Sequence, residues 1–247
     1  MNSILRYIFS IYAILIFIVS LFVFYTIYTI LFLITPEKKA ANRSHKVGRA
    51  WAKVLFLVFF IRVKYHNLTK IKKDQIYVFV ANHKSLLDVP VLAYATKNTF
   101  KYLAKEELTK IPIMGYLIKR LYFTVNRQDR ADRKKSMERM MSCLNSGVSL
   151  GIYPEGTRNK SEEYLLPFKE GAFRLAVAAQ KPIGVLTIVN SDRLLSSHKL
   201  MQLSPGTLHA YWSDPIETLG KTEKDIPELI EECRKKMISF LQLHEKK

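Results

Sequence analysis

Cysteine is nearly missing. Cys143 and Cys233 are the only two in 247 residues, and they stand far apart in no C-x-x-C arrangement. This excludes a disulfide framework or a cysteine-bound metal and points to a reducing compartment. No H-E-x-x-H pair, internal repeat or nucleic-acid-binding motif is present, so zinc-peptidase and nucleic-acid functions are not expected. Acidic residues are also few: 21 Asp and Glu oppose 39 Lys and Arg, a formal net charge of +18. Such an excess calls for anionic partners, such as phosphorylated substrates or anionic lipid.

Charge of either sign is absent from residues 7–34, and Arg6 alone precedes them. As a helix these 28 residues would extend roughly 42 Å at about 1.5 Å each, beyond the ~30 Å hydrocarbon core of a bilayer. A secretory signal has a shorter apolar core and a small-residue cleavage site, so removal is not expected. Pro36 ends the run. Residues 36–75 then carry eleven Lys and Arg against only Glu37 and Asp74. A second apolar run, 54–61, is too short to span, and Trp51, Arg49 and Lys53 suit the headgroup level. The expected arrangement is an N-terminal membrane-embedded helical pair over residues 1–62, consisting of a long helix, a basic turn and a shorter helix. A soluble domain over 63–247 follows. Basic residues just after the first helix place that side in the cytoplasm, and their clustering favours anionic lipid at about 1 kcal/mol each.

The soluble part alternates strand-like and helix-like stretches. Strands are expected at 63–66, 76–81, around Tyr102, and at 121–125, 148–153, 183–189 and 208–212, with helices at 131–145, 171–180 and 223–244. That alternation predicts an α/β fold, a mostly parallel central sheet flanked by helices.

The run 76–81 is the informative one. Asn82 and His83 break it, and Ser85, Asp88 and Pro90 follow with helix-start chemistry. Open α/β sheets bind ligands beyond the carboxyl ends of their strands, so this imidazole and carboxylate form a candidate catalytic pair. Within one continuous helix a five-residue spacing would set the side chains about 140° apart. They meet only with His83 in the loop and Asp88 in the first helical turn. A capping role competes for Asp88: S-x-x-D from Ser85 is close to a capping box, while Pro90 favours Asp88 as the N-cap itself.

A second apolar run, 148–153, ends on Pro154, Glu155, Gly156, Thr157 and Arg158. Gly156 permits a turn or a close ligand approach, and Arg158 suits a phosphate. The plain alternative is a tight turn with a surface Glu155–Arg158 pair. Pro167, Phe168, Lys169 and Gly171 lead into a helix whose N-terminus attracts anions. Lys105 and Arg127 each follow a strand-like run, and each is either a phosphate ligand or a solvated surface cation.

In this order the stretches resemble the glycerolipid acyltransferase family, over residues 76–189. The family's N-H-x-x-x-x-D is present as Asn82, His83 and Asp88. Its third motif runs from Tyr153, where Phe is usual, to Arg158, and P-F-K-x-G is Pro167, Phe168, Lys169 and Gly171. Lys105, Pro112 and Gly115 are similar to the bacterial 1-acylglycerol-3-phosphate acyltransferases in particular. Two departures stand out. Leu121 and Thr124 replace a Gly and an aromatic of the second motif, leaving Arg127 as its matching residue. Val185 replaces the second proline of the fourth motif, which keeps Pro182.

The resemblance implies transfer of an acyl chain from a thioester of acyl carrier protein or CoA to the 2-hydroxyl of lysophosphatidic acid, giving phosphatidic acid. It makes His83 the base and Asp88 its orienting partner. Glu155, Gly156, Thr157 and Arg158, aided by Lys105 and Arg127, would hold glycerol and phosphate. No cofactor and no metal is implied. A place in the inner cell membrane, with the catalytic domain on the cytoplasmic face, suits the lipid acceptor and the anionic lipids. Glycerol 3-phosphate or another lysophospholipid is the nearest alternative acceptor. A non-catalytic basic membrane adaptor leaves His83, Asp88 and residues 154–158 without a purpose. A membrane-bound hydrolase is set aside because no nucleophile elbow is expected.

Overall fold

A computed structural model describes residues 3–126, 128–196 and 202–245. Seven strands form one sheet: β1 (Ile61–His66), β2 (Val78–Ala81), β3 (Phe100–Lys105), β4 (Phe123–Val125), β5 (Ser149–Ile152), β6 (Ile183–Val189) and β7 (Gly206–Trp212). Their order is β1-β7-β6-β2-β5-β3-β4. All pairings are parallel except β6 with β7, so β1 and β7 run against the other five. The helices are α1 (Ser3–Ile34), α2 (Glu37–Val58), α3 (Asp88–Ala95), α4 (Met114–Leu121), α5 (Arg130–Asn145), α6 (Gly171–Ala179), α7 (Ser191–Leu194) and α8 (Ile226–Glu245). The mostly parallel α/β sheet expected from the sequence is the observed one.

Side chains alternate across the sheet, and β2 separates the two layers cleanly. Val78 and Val80 pack with Leu144 of α5, Phe173 of α6 and Met237 of α8. Tyr77, Phe79 and Ala81 pack with Phe56 of α2 and with Val91 and Leu92 of α3. All five of these residues are fully buried, as a strand covered on both faces requires. Gly151 in β5 is fixed by contact: a Cβ there would lie 2.7 Å from the ring of Phe100.

Several boundaries differ from expectation. β2 begins at Val78 because Tyr77 N–H donates to Ser149 Oγ (3.0 Å) instead of joining the ladder. Leu121 closes α4, with Tyr122 N–H bonding back to Ile118 O (2.9 Å), which leaves β4 only three residues. The basic residues after Pro36 form the first turns of α2 rather than a turn between helices. Proline is comfortable at a helix start, and Lys and Arg are good helix formers, so only Thr35 and Pro36 join the two helices. The boundary expected after residue 62 falls inside β1, whose first residue, Ile61, pairs with Gly206.

α1 is fastened to the body along its length. Arg6 Nε donates to Ser204 Oγ (2.5 Å), Tyr12 OH to Val58 O (3.1 Å) and Tyr28 OH to Ser44 O (3.1 Å). Trp51 stacks on Phe24 with ring centroids 5.2 Å apart, and its Nε1–H donates to Ser20 Oγ (3.2 Å). Leu5, Ile8, Leu15, Val19, Phe22, Ile30 and Leu33 face outward. That stripe exceeds what a soluble surface normally exposes, and α1 is long and apolar enough to cross a membrane.

Candidate active site

β2, β5, β3 and β4 are parallel, so their carboxyl ends meet on one edge, and the expected site residues follow those ends. Asn82 anchors the edge. Its Nδ2 donates to Ile188 O (2.8 Å) and its Oδ1 accepts from Ile188 N–H (2.7 Å), extending the β2–β6 connection one step past the ladder.

His83 then leaves the strand in a loop, and Asp88 opens α3, the one arrangement in which the pair can meet. His83 Nδ1 lies 2.9 Å from Asp88 Oδ2, and the carboxylate is fully buried. The same oxygen accepts from Lys84 N–H (2.8 Å) and Ser85 N–H (2.7 Å). Both sequence readings of Asp88 are therefore realised in part. It closes the turn that precedes the helix, as the acidic member of a capping box would, and it holds the imidazole. As the first helical residue it is not the N-cap. A carboxylate facing Nδ1 fixes that nitrogen as the N–H donor and leaves Nε2 with the lone pair of a base.

Glu155 is 3% exposed and ties the second loop to the first. Its Oε1 accepts from His83 N–H (2.7 Å) and its Oε2 from Leu166 N–H (2.9 Å). Burial raises its pKa above the usual carboxylate range, while the two backbone donors work against that rise. The surface Glu155–Arg158 pair is thus not formed. Asn159 N–H donates to His83 O (2.6 Å), and Lys169 N–H to Pro154 O (2.8 Å). Gly156 has φ +74°, the left-handed turn that glycine permits.

Thr157 is exposed and Arg158 half-exposed, with no ion pair for Arg158 among the described residues. Lys105 ends β3 on the same edge; it is exposed and pairs with Glu107 at 2.8 Å. Arg127 lies outside the described residues. Its flanks are pinned by Asp132, which accepts from Asn126 N–H (2.7 Å), and by Asp129, which caps α5.

Two contributors had no role on sequence alone, and a third, Ser85, was read there only as helix-start chemistry. Tyr153 stacks on His83 with centroids 4.2 Å apart and planes 22° apart. Asn159 braces the His83 carbonyl, and Ser85 Oγ donates to Leu195 O (2.8 Å). The register Val80↔Ile152 carries Tyr153 toward the residues before His83, but pairing partners are invisible in one sequence. Residues 147–151 do match G-x-S-x-G, against the expectation of no elbow. Ser149, however, opens a strand, is fully buried, and its Oγ accepts from Tyr77 N–H, so it is not a nucleophile at a strand-to-helix turn. Among the described residues no group of three His, Cys, Asp or Glu side chains is placed to hold a metal ion.

Comparisons agree with this geometry. A family model described as Acyltransferase matches residues 62–189. The human 1-acyl-sn-glycerol-3-phosphate acyltransferase beta is 32% identical over 203 residues, covering 78% of this chain and 70% of that one. The 1-acyl-sn-glycerol-3-phosphate acyltransferase of Helicobacter pylori is 34% identical over 126 residues, 50% of this chain and 52% of its own. The crystal structure of the 1-acyl-sn-glycerophosphate (LPA) acyltransferase PlsC from Thermotoga maritima superposes with a TM-score of 0.79 at 26% identity, covering 94% of each chain.

Proposed function

Because the chain belongs to the acyltransferase family, we propose that it is a 1-acylglycerol-3-phosphate O-acyltransferase, moving an acyl chain from a thioester to the 2-hydroxyl of lysophosphatidic acid. The observation that carries this reading is the 2.9 Å contact between His83 Nδ1 and the buried Asp88 carboxylate, at an edge where strand ends converge.

Nε2 of His83 accepts the proton of the 2-hydroxyl as that oxygen attacks the thioester carbonyl. A positioned base contributes typically about 10²–10⁴-fold. Asp88 holds the tautomer and stabilises the imidazolium. The tetrahedral intermediate collapses by breaking the carbon–sulfur bond, and the proton passes from Nε2 to the departing thiolate. Phosphatidic acid and a free thiol result. The thioester is already activated and the acceptor supplies the alcohol, so no enzyme nucleophile is needed; Ser85 is occupied with Leu195.

Arg158 and Thr157 hold the glycerol phosphate, with Gly156 allowing close approach and Lys105 and Arg127 adding positive charge. Glu155 acts one step back, as a positioning residue for the His83 backbone. The apolar face of α1 and the basic turns of α2 hold the enzyme to anionic lipid at the cytoplasmic face of the inner membrane. The donor is acyl carrier protein or acyl-CoA. Purified enzyme given lysophosphatidate and each thioester in turn should release free thiol; no release with either donor would overturn the reading. Glycerol 3-phosphate in the same assay tests the nearest alternative acceptor.

A further inference from the structure

We infer that the Tyr153 hydroxyl is a positioning group for the His83–Asp88 pair: it turns its O–H toward the Asp88 carboxylate and tempers the hold of that charge on the imidazole. The inference rests on the base role given to His83 above. Two buried atoms carry it. Among the described residues neither Tyr153 Oη nor Asp88 Oδ1 has a hydrogen bond of ordinary geometry. One is a donor and the other an anionic acceptor. The bonds that Asp88 accepts from His83 Nδ1, Lys84 N–H and Ser85 N–H all fall on Oδ2. The second carboxylate oxygen is left to the dipoles around it.

Stacking limits where the Tyr153 oxygen can lie. Its ring covers the imidazole with centroids 4.2 Å apart and planes 22° apart, and a phenol oxygen stays in the plane of its ring. The Tyr102 ring of β3 is nearly parallel to it, at 6.3 Å and 9°. Tyr102 OH gives its hydrogen to Val89 O (2.5 Å), the residue after Asp88, so the hydrogen of Tyr153 is the one left to orient. Burial first, and then the charge of Asp88, hold the Tyr153 hydroxyl well above its ordinary pKa, so it keeps that hydrogen. Hydroxyl dipoles orient in the field of the protein, and in a dry interior they act on a charge without touching it.

The sign of the effect follows. The charge of Asp88 favours an imidazolium at His83. A positive O–H end aimed at the same carboxylate offsets part of that charge, so His83 is ready as a base at lower pH. Other titratable groups face the pair and Tyr153: Glu155, whose Oε1 accepts from His83 N–H, Lys84 next along the loop, Tyr102, and Tyr122 just before β4. All of them remain when the Tyr153 oxygen alone is removed.

The test compares the full chain with Tyr153→Phe, which keeps the ring and deletes only the oxygen, in lipid bicelles. One readout is kcat/KM for lysophosphatidate against pH with a saturating thioester donor, whose acid limb reports the protonation of the base before the acceptor binds. The other is an NMR titration of the His83 imidazole, identified by its loss in His83→Ala, which needs no turnover. In Tyr153→Phe both the acid limb and the titration midpoint should move up by about half to one pH unit, the size of one hydrogen bond. Below the limb, kcat/KM should then fall about three- to tenfold. An active variant whose limb and midpoint stay at wild type overturns the inference. So does a downward move, or a fall by one constant factor at every pH, the mark of a merely structural hydroxyl. A midpoint that rises while kcat/KM shows no acid limb leaves the effect on His83 standing and counts against His83 as the base, the reading on which the inference rests.

Discussion

At the scale of residues, the role proposed for His83 follows from the different surroundings of its two nitrogens. One meets a buried carboxylate and the other is left for the acceptor. Asp88→Asn keeps the shape, and its one oxygen can still meet His83 Nδ1, Lys84 N–H and Ser85 N–H, which all bond Oδ2 in the wild type, but it removes the negative charge that fixes the tautomer and sets an N–H₂ in place of the buried, unpartnered Oδ1. We expect kcat to drop by roughly 10³–10⁴-fold, as when such an orienting carboxylate is neutralised elsewhere. Steady-state kinetics with a saturating acceptor checks this. Glu155→Gln should lower kcat more than it raises the lysophosphatidate KM, because one of its two backbone donors would then face an amide N–H₂. The pH profile adds a second readout. A carboxylate whose folded pKa is raised contributes stability that is fully present below its unfolded value, about 4.3, and is lost as pH rises through the folded value. Thermal melts of the wild type should therefore decline as pH rises from that unfolded value through the folded one, and those of Glu155→Gln should decline less. Lys105→Ala, by contrast, should chiefly raise the lysophosphatidate KM; an unchanged KM would remove Lys105 from the phosphate site. Legibility at this scale was uneven. The spacing of His83 and Asp88 and the 154–158 stretch were visible because motif chemistry is local. The stacking of Tyr153 and the bracing by Asn159 depend on which strands become neighbours.

At the scale of elements, β6 was readable in full because its seven residues, apart from Thr187, are apolar, largely β-branched and buried on both faces. The ends of β2 and β4 were not. Side-chain hydrogen bonding by Ser149 and the helix cap at Tyr122 override apolar character at those ends. The basic stretch after Pro36 was misjudged as a turn, since clustered charge looks like loop until an apolar partner helix is known. Trp51 joins the two N-terminal helices through its stacking on Phe24 and its bond to Ser20. Trp51→Ala should cost about 2 kcal/mol, from lost apolar burial and ring contact. Chemical or thermal denaturation in detergent would read this as a lowered transition midpoint. A midpoint equal to wild type would mean that α1 and α2 associate by other means.

At the scale of the whole molecule, one apolar helix and a net charge of +18 act together. Vesicle flotation should show both contributions. Raising the salt toward 1 M, where the Debye length shrinks to about 3 Å, should weaken binding to anionic vesicles without abolishing it, because the outward stripe of α1 is insensitive to salt. Complete release would make the attachment purely electrostatic. The sheet sets the candidate catalytic groups at its carboxyl edge, between the layer of α1, α2 and α3 and the layer of α5, α6 and α8. The central claim is that His83 is the base of this transfer. Its most direct test is thiol release by His83→Ala against wild type, with lysophosphatidate and a thioester donor, at equal amounts of membrane-bound enzyme. The account predicts a loss of at least about 10²-fold with membrane binding retained. Turnover at the wild-type rate would contradict it.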